Sequence, residues 1–204
     1  MVLLIMAACS GTGKSTLGRR LLAEHPKLRL SVSHTTRPPR PGETQGVEYH
    51  FVDRAAFEVE VRAGAFAEWA EYAGNLYGTS HEEIDRTRSA GRDLLFDVDV
   101  VGAANLKRNY PGALSLFILP PSWEELERRL RSRGTEAEPV VARRLAVARR
   151  ELEAAATFDY LIVNDELDKA YAEMVALYRT AGLRTSERVG LLDGLRASVQ
   201  VFPA

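Results

Sequence analysis

The sequence predicts an α/β fold in which a parallel sheet is covered by helices on both faces. Short apolar segments alternate with helical patterns along most of the chain, which is typical of strands joined by helical crossovers. A glycine-rich loop also lies between the first apolar segment and the first helical pattern. The chain has 204 residues, of which 46% are hydrophobic and 27% charged, so it can bury one substantial core.

The first elements are a strand, a loop and a helix in direct succession. The run "MVLLIM" predicts a buried strand, and "AACSGTGKST" follows it at residues 7–16. The next segment, "KSTLGRRLLAEH", predicts a helix because Leu17, Leu21 and Leu22 recur at helical spacing. A second strand is predicted at "LRLSVS".

The amino-acid composition of the sequence changes between Thr35 and Asn75. The stretch "TTRPPRPGETQGVEYHF" is rich in Pro, Gly and Arg, and the segment after it mixes aromatic and acidic residues. Such a stretch interrupts the alternation of strands and helices. We therefore expect one domain that carries an insertion.

Regular alternation returns after this segment. Helices are predicted at 82–90, 102–109, 139–156 and 166–181, and strands at "DLLFDVDV", "ALSLFIL" and "DYLIVN". A further helix, "PSWEELERRLRSR", has a start signal because Ser122 can cap it and Glu125 follows three residues later. The tail at 183–204 shows no clear pattern beyond the short apolar piece "ASVQVF".

Composition and charge argue against several classes of partner. The formal net charge is -1, so no global basic field would hold nucleic acid or an acidic membrane surface. The first apolar run lacks a charged n-region and is too short to span a bilayer, and no other run is long enough for a membrane helix. We expect a cytoplasmic protein that binds neither nucleic acid nor membranes, whereas its oligomeric state is left open.

The single cysteine, Cys9, cannot form an internal disulfide, which suits a reducing compartment. Because it lies just before a predicted helix N-terminus, two hypotheses remain open. It is either a redox-sensitive thiol or a small residue that fills space.

Residues 8–15 match the pattern GxxxxGK followed by Ser or Thr, except that Ala8 replaces the first glycine. In this pattern successive backbone N–H groups wrap nucleotide phosphates, and the following helix directs its positive N-terminal end at them. Lys14 is expected to neutralise the β- and γ-phosphates and Ser15 to ligate Mg²⁺. A glycine-rich turn without a ligand is the alternative, but the loop lies between a predicted strand and a predicted helix, as the motif requires. The sequence therefore predicts a P-loop NTPase-type core whose ATP-binding residues are Ser10, Gly11, Thr12, Gly13, Lys14, Ser15 and Thr16.

A second anion site is predicted in the insertion. Arg37 and Arg40 flank two prolines that stiffen the chain, and Tyr49 follows the turn signal "PGE". Two planar guanidinium groups at fixed spacing suit a tetrahedral phosphate. An exposed basic loop is the alternative.

At this point the sequence closely resembles guanylate kinases, the family that transfers the γ-phosphoryl group of ATP to GMP. The matching stretches are "SGTGKST", "SVSHTTRPPRPGE", "QGVEYHFV", "FAEWAEYAGNLYGTS", "DLLFDVDVVGA", "FILPPSWEELERRLRSRGTE" and "YLIVNDELDKAY". Together they span nearly all of residues 3–180, in the family order. The resemblance implies a domain at 1–182, with a core at 1–33, 80–127 and 143–182, a GMP-binding insertion at 34–79, a lid at 128–142 and a tail of unknown role at 183–204.

The resemblance also implies how GMP is bound. The residues implied to hold its phosphate are Ser33, Arg37, Arg40, Tyr49 and Tyr77. Glu68 is expected to accept hydrogen bonds from guanine N1–H and the N2 amino group, with Asp99 assisting at the amino group and the Thr79 hydroxyl meeting O6. Adenine lacks those adjacent donors, so a carboxylate here would discriminate between the bases. Without the family context, Glu68 would be a solvated acid on a helix face.

On the donor side the resemblance implies a set of catalytic cations. They are Lys14, Arg129, Arg133 and Arg144, and the arginines are expected to close over ATP and stabilise charge on the transferring phosphoryl group. Asn164 in "IVND" matches a position near the adenine ring. Asp97 has two open roles, as a ligand of Mg²⁺ through water or as a structural acid at a strand end.

The chain departs from the family at two positions, Ala8 and Val101, the latter standing where the family commonly has glutamine. Two other functions are weighed against the kinase. A non-catalytic interaction module is expected to have a degraded phosphate loop, and a kinase for another acceptor, such as a ribose bisphosphate, to lack Glu68, Thr79 and Asp99. The chain has both the phosphate-loop residues Lys14 and Ser15 and the residues Glu68, Thr79 and Asp99.

Overall fold

The structure is a computed structural model that describes residues 1–132 and 138–199. The strands are β1 (Leu3–Ala8), β2 (Leu28–Leu30), β3 (Ser33–Thr35), β4 (Tyr49–Phe51), β5 (Phe66–Tyr72), β6 (Asn75–Ser80), β7 (Asp93–Asp97), β8 (Leu114–Leu119) and β9 (Tyr160–Val163). The helices are α1 (Lys14–Glu24), α2 (Arg54–Arg62), α3 (His81–Ser89), α4 (Val100–Asn109), α5 (Trp123–Ser132), α6 (Glu138–Glu153), α7 (Leu167–Ala181) and α8 (Thr185–Val199), with a 3-10 turn at Ala154–Thr157.

The main sheet has five parallel strands in the order β2-β7-β1-β8-β9, which confirms the predicted α/β fold. Its central strand, β1, is buried on both faces, so it is apolar along its whole length. One face packs against α1 and α7 through residues such as Leu21 and Met174. The other face packs against α3 to α6, where Ile84 and Leu126 are fully buried.

The insertion forms a second, smaller sheet. Its strands lie in the order β4-β3-β6-β5, with β3 and β4 parallel and the other neighbours antiparallel. A small core of Phe57, Phe66 and Leu76 lies between this sheet and α2, and the two phenylalanine rings stack with centroids 4.5 Å apart. The inserted sheet therefore has its own apolar support, separate from the main core.

The boundary after β7 differs from the sequence prediction. The predicted strand "DLLFDVDV" ends at Asp97, and α4 begins at Val100 rather than at residue 102. The reason is Asp99, whose Oδ1 accepts a hydrogen bond from the Gly102 N–H at 2.7 Å and so caps the helix. The predicted strand "LRLSVS" is likewise divided between β2 and β3, which belong to different sheets.

The start of α5 confirms the predicted cap. The Glu125 N–H donates to the Ser122 Oγ at 3.1 Å. The Glu125 carboxylate does not return to Ser122 but accepts hydrogen bonds from Arg128 and Arg129. Ser122 therefore caps the helix alone.

The tail forms a helix where the sequence showed no clear pattern. α8 has no buried residue, so it lacks the apolar stripe that reveals a helix in a sequence, and Gly190 and Gly194 weaken its helical propensity further. Leu191 and Leu195 are 62% and 65% exposed. Across the described residues, every helix is too short or too polar to cross a bilayer.

Two leucine truncations test the placement of the core and the tail. Leu4 is fully buried at the centre of the main sheet, whereas Leu195 lies on the exposed tail helix. We expect Leu4→Ala to lower the free energy of unfolding by about 2–5 kcal/mol and Leu195→Ala to change it by less than about 0.5 kcal/mol, as measured by urea denaturation. A large loss in Leu195→Ala would show that α8 is packed in solution.

Candidate active site

A cavity of about 540 Å³ lies at the carboxyl ends of the main strands and is shared with the inserted sheet. The loop after β1 forms one wall, and the loop after β7 another. Open parallel sheets bind ligands at this edge, where loops from adjacent strands diverge. The predicted site residues that line the cavity are Ser10, Gly11, Gly13, Lys14, Ser15, Thr16, Ser33, Tyr49, Glu68, Tyr77, Asp97 and Asp99.

The glycine-rich loop has the backbone conformation of an anion site. Gly11 and Gly13 have φ values of 95° and 90°, in the left-handed region where other residues are strained. Gly13 precedes α1, and no side chain caps this helix. Its first N–H groups are therefore available to an anion, and Ser15 is exposed beside them.

Two side chains hold the loop in shape from behind. The Thr12 Oγ1 donates to the Cys9 carbonyl at 2.9 Å, and the Asn164 Nδ2 donates to the Thr12 carbonyl at 2.6 Å. A Cβ atom on Gly13 would lie 2.5 Å from the Asn164 Nδ2, so this close packing requires glycine. Asn164, predicted to lie near an adenine ring, is thus a support of the loop in this structure and is 6% exposed.

Lys14 lies across the cavity floor and pairs with Asp97 at the end of β7. Its Nζ also donates to the Val98 carbonyl at 3.2 Å. Asp97 therefore has a structural partner in Lys14. The other role expected for Asp97, as a ligand of Mg²⁺ through water, stays a prediction.

The residues predicted to recognise a base, Glu68, Thr79 and Asp99, are brought together on β5, β6 and the start of α4, beside Ser33 on β3. The Glu68 Oε1 accepts a hydrogen bond from the Thr79 N–H at 3.0 Å, and the Thr79 and Ser33 hydroxyl groups lie 3.1 Å apart. A Cβ atom on Gly102 would lie 3.1 Å from the Glu68 Oε2, which places this oxygen against the start of α4 beside Asp99. Glu68 is therefore a buried acid on a strand, not a solvated acid on a helix face.

Burial raises the pKa of Glu68 to about 7. The hydrogen bonds from Thr79 oppose this shift of the pKa, and the nearby charge of Asp99 adds to it. The side chain is only 5% exposed, so its ionised form is poorly solvated. A ligand that supplies N–H donors would replace the missing solvation.

The structure does not bring the two arginines of the second anion site into the cavity. The Arg37 Nη2 donates to the Glu43 Oε1 at 2.8 Å, and the Arg40 backbone N–H donates to the Glu43 Oε2 at 2.7 Å. Arg40 itself is exposed. Tyr49 and Tyr77 do line the cavity, and Arg37 lies behind them with its guanidinium carbon 5.4 Å from the Tyr49 ring centroid.

Of the arginines predicted to close over ATP, Arg129 and Arg144 lie within the described residues, and neither lines the cavity. Arg129 donates to Glu125 at 2.6 Å and to the Asn164 carbonyl at 3.1 Å, beside the loop support. Arg144 lies half-buried on α6; burial raises the pKa of the nearby Tyr72 phenol, and the charge of Arg144 opposes that rise. Arg133 lies outside the described residues.

Cys9 is a buried thiol. It is 2% exposed, and burial, with the nearby charge of Glu151, raises its pKa to about 12. Its Sγ contacts the Ala148 carbonyl at 3.4 Å. These features favour the residue that fills space over the redox-sensitive thiol, because reactivity requires an accessible thiolate.

Sequence reasoning missed four charged or aromatic residues of the cavity, namely Arg19, Glu48, Tyr72 and Glu151. Glu151 is the most buried of them, at 7% exposure. The signal that could have found it is its spacing. Val141 and Ala148 mark the buried face of α6, and Glu151 continues that face three residues later.

The comparisons with known proteins agree with one another. The family model described as guanylate kinase matches residues 1–180. A guanylate kinase from Oleidesulfovibrio alaskensis is 52% identical over 95% of this chain and 94% of its own length, and one from Neisseria gonorrhoeae is 47% identical over 94% and 93%. The crystal structure of guanylate kinase from Anaplasma phagocytophilum aligns with a TM-score of 0.77 at 31% identity, and covers 96% of this chain and 94% of that one.

The raised pKa of Glu68 predicts a pH-dependent difference in stability. The folded protein binds this proton more tightly than the unfolded chain, so wild-type stability falls as pH rises from about 4.5 to about 7. The amide of Glu68→Gln has no such proton to lose. Its free energy of unfolding relative to wild type should rise across this window, by up to about 3 kcal/mol.

Urea denaturation at closely spaced pH values measures this difference. Glu71→Gln is the matched control, because Glu71 is on the same strand but exposed. A Glu68→Gln difference that stays flat with pH would show that Glu68 titrates normally.

Proposed function

This chain belongs to the guanylate kinase family, and we propose that it transfers the γ-phosphoryl group of ATP to GMP, giving ADP and GDP. The observation that carries the proposal is one cavity that holds both a phosphate loop, with Lys14, and a buried acid suited to guanine, Glu68. The two groups serve different substrates, so their presence in one cavity supports a reaction between donor and acceptor.

The donor site is proposed at the loop and the start of α1. Its residues are Ser10, Gly11, Thr12, Gly13, Lys14, Ser15 and Thr16, with Asn164 supporting the loop. The uncapped N–H groups of α1 and the Lys14 ammonium supply positive charge to the phosphates. Lys14 is held by Asp97 and the Val98 carbonyl before a nucleotide arrives.

The donor set also fits Mg²⁺. Magnesium prefers oxygen ligands and usually keeps several waters, so a hydroxyl and phosphate oxygens suffice. The exposed Ser15 hydroxyl stands at the N-terminus of α1, and Asp97 lies within the same cavity. Bound there with the phosphates, the ion would neutralise charge on the transferring group.

The acceptor site is proposed on the inserted sheet. Glu68 would accept hydrogen bonds from N1–H and the N2 amino group of guanine, with Asp99 at the amino group and Thr79 at O6. The pairing of the Thr79 and Ser33 hydroxyl groups supports their placement, because each can reorient its hydrogen towards a ligand. An adenine base would leave the buried Glu68 without donors, which is costly.

The acceptor phosphate is proposed to bind Tyr49, Tyr77, Arg37, Arg40 and Ser33. Glu43 accepts hydrogen bonds from the Arg37 side chain and from the Arg40 backbone N–H. The phosphate must therefore compete with this carboxylate, or the insertion at 34–79 must close to bring both guanidinium groups inward. Gly42 and Gly74 both have positive φ values and are candidate points for this movement.

The lid is proposed at 128–142, and the cations proposed to close over ATP are Arg129 and Arg133 in the lid and Arg144 on the helix that follows it. The remaining domain boundaries are proposed as a core at 1–33, 80–127 and 143–182, followed by the tail. Closure of the lid would bring cations to the transferring phosphoryl group and exclude water, which would otherwise hydrolyse ATP. A role for Arg129 is supported by its position, because it donates a hydrogen bond to the backbone carbonyl of Asn164, whose side chain holds the phosphate loop.

The reaction requires no general base from the protein. The acceptor is a phosphate whose second pKa is about 6, so it is mostly dianionic at neutral pH. Within the described residues, no histidine lines the cavity. The chain's own residues instead align the two phosphates for in-line transfer and offset their repulsion.

Two properties stay predictions from the sequence, a cytoplasmic location and the absence of nucleic-acid or membrane partners. The two other functions are disfavoured on specific observations. An interaction module does not need Lys14 and a loop held open for phosphate, and a kinase for a ribose bisphosphate does not need the buried Glu68.

The proposed function is tested by measuring ADP production with MgATP and a panel of acceptors. We expect a strong preference for GMP over AMP, CMP, UMP and ribose bisphosphate, because only guanine supplies the donors that Glu68 lacks. Turnover with none of them, together with calorimetric binding of GMP, would favour the interaction module. Preference for ribose bisphosphate would favour the other kinase.

A substitution in the acceptor site separates the two substrates. Glu68→Ala should lower kcat/KM for GMP by about 10²–10⁴-fold, since the paired donors of guanine lose their acceptor, while the KM for ATP stays within about twofold. Steady-state kinetics with each substrate varied in turn measures both. Glu71→Ala on the same strand is the control, and an unchanged KM for GMP in Glu68→Ala would refute the guanine assignment.

A further inference from the structure

Arg19 is a cation of the cavity that none of the roles proposed above uses. It lies on α1, one turn after Ser15, and it lines the cavity together with the phosphate loop. It is also exposed. Its neighbour Arg20 differs, because Arg20 forms ion pairs with Glu24 and Asp168. Arg20 therefore has a structural role on the helix surface, whereas the role of Arg19 has to be found in the cavity.

The Arg19 guanidinium lies beside the first turn of α1. Its Nε donates to the Ser15 carbonyl at 3.2 Å. A side chain on a helix is directed towards the helix N-terminus, so the Arg19 stem runs back along α1 towards the phosphate loop. Within the part of the chain that the structure describes, its Nη1 and Nη2 have no hydrogen-bond partner. These two nitrogens are therefore available to a ligand in the cavity.

The charged residues that line the cavity are mostly acids. The acids are Glu48, Glu68, Asp97, Asp99 and Glu151, and the cations are Lys14 and Arg19. Lys14 is paired with Asp97, and Arg37 is held outside the cavity wall by Glu43. Among the described residues, Arg19 is thus the cation of the cavity wall without a carboxylate partner. Two phosphate groups brought together here need more positive charge than the paired Lys14 supplies.

The position of α1 in the fold places Arg19 on the acceptor side of the phosphate loop. α1 contacts β2, the edge strand from which the chain passes through Ser31 into β3. β3 carries Ser33 of the proposed acceptor site, and both serines line the cavity together with Arg19. Asn164, which supports the donor loop, follows β9 at the opposite edge of the sheet. Arg19 therefore lies on the side of the loop from which the insertion departs.

We propose that Arg19 is a further phosphate-binding residue, whose guanidinium contacts the phosphate of the acceptor nucleotide. The inference rests on the proposed function and adds a residue to its acceptor site. A guanidinium has planar, paired N–H donors that suit two oxygens of one phosphate. In the described part of the chain its Nη groups face no competing carboxylate, whereas Arg37 must first separate from Glu43. The same charge offsets the repulsion between the acceptor and donor phosphates.

Calorimetric binding of GMP and of MgADP, each without the second substrate, tests the inference. We expect Arg19→Ala to raise the Kd for GMP about tenfold, because a charge-assisted contact to its phosphate is lost, and to leave the Kd for MgADP within about twofold. Arg19→Gln removes the charge and should behave like Arg19→Ala. Arg19→Lys keeps the charge and should bind GMP more tightly than either.

Arg20→Ala is the matched control, because it removes the same charge from the same helix at a residue that faces Glu24 and Asp168. Equal Kd values for GMP in Arg19→Ala and Arg20→Ala would overturn the inference. A Kd that rises for MgADP rather than for GMP would also overturn it, because the guanidinium would then serve the donor phosphates. A wild type that binds GMP without transferring a phosphoryl group to it would refute the proposed function and leave the calorimetric test of Arg19 valid.

Discussion

The site depends on carboxylates that hold its anion-binding groups in place. Lys14 pairs with Asp97, and Glu43 accepts hydrogen bonds from both the Arg37 side chain and the Arg40 backbone N–H. Unpaired cations and N–H groups around a cavity would repel one another or turn towards solvent. The carboxylates fix their positions before a phosphate arrives, at the cost of competing with it. This arrangement explains how a chain with a formal net charge of -1 can present a local site for two phosphate chains.

The topology of the main sheet brings these groups to one edge. β1 lies between β7 and β8, so the loop after β1 and the loop after β7 leave the sheet side by side. The first supplies Lys14, and the second supplies Asp97 and Asp99. Because all five strands are parallel, every such loop emerges at the same edge. The inserted sheet needs only to place Glu68 over this edge for donor and acceptor sites to share one cavity.

The sequence predicted the α/β fold, the phosphate loop and the acids of the base site, because each has a local pattern or a family motif. It did not reveal the partners that hold them. Asn164 contacts Thr12 although the two are 152 positions apart in the sequence, and neither residue type predicts the other as its partner. Glu43 was interpreted as part of a turn signal, although its carboxylate binds both Arg37 and the Arg40 backbone. α8 was missed for the opposite reason, since a helix without a buried face leaves no periodic pattern.

The burial of Glu68 is costly to the fold and is also suited to selectivity. Glu68 is 5% exposed, and its burial raises its pKa to about 7. A protein selected for stability alone would favour an apolar residue between Thr79 and Gly102. An ionised carboxylate that lacks hydrogen-bond donors, however, is stabilised most by a ligand with two adjacent N–H groups. It is destabilised most by a ligand that has none. The destabilising burial of Glu68 and the proposed discrimination between purine bases therefore have the same physical origin, the burial of one carboxylate.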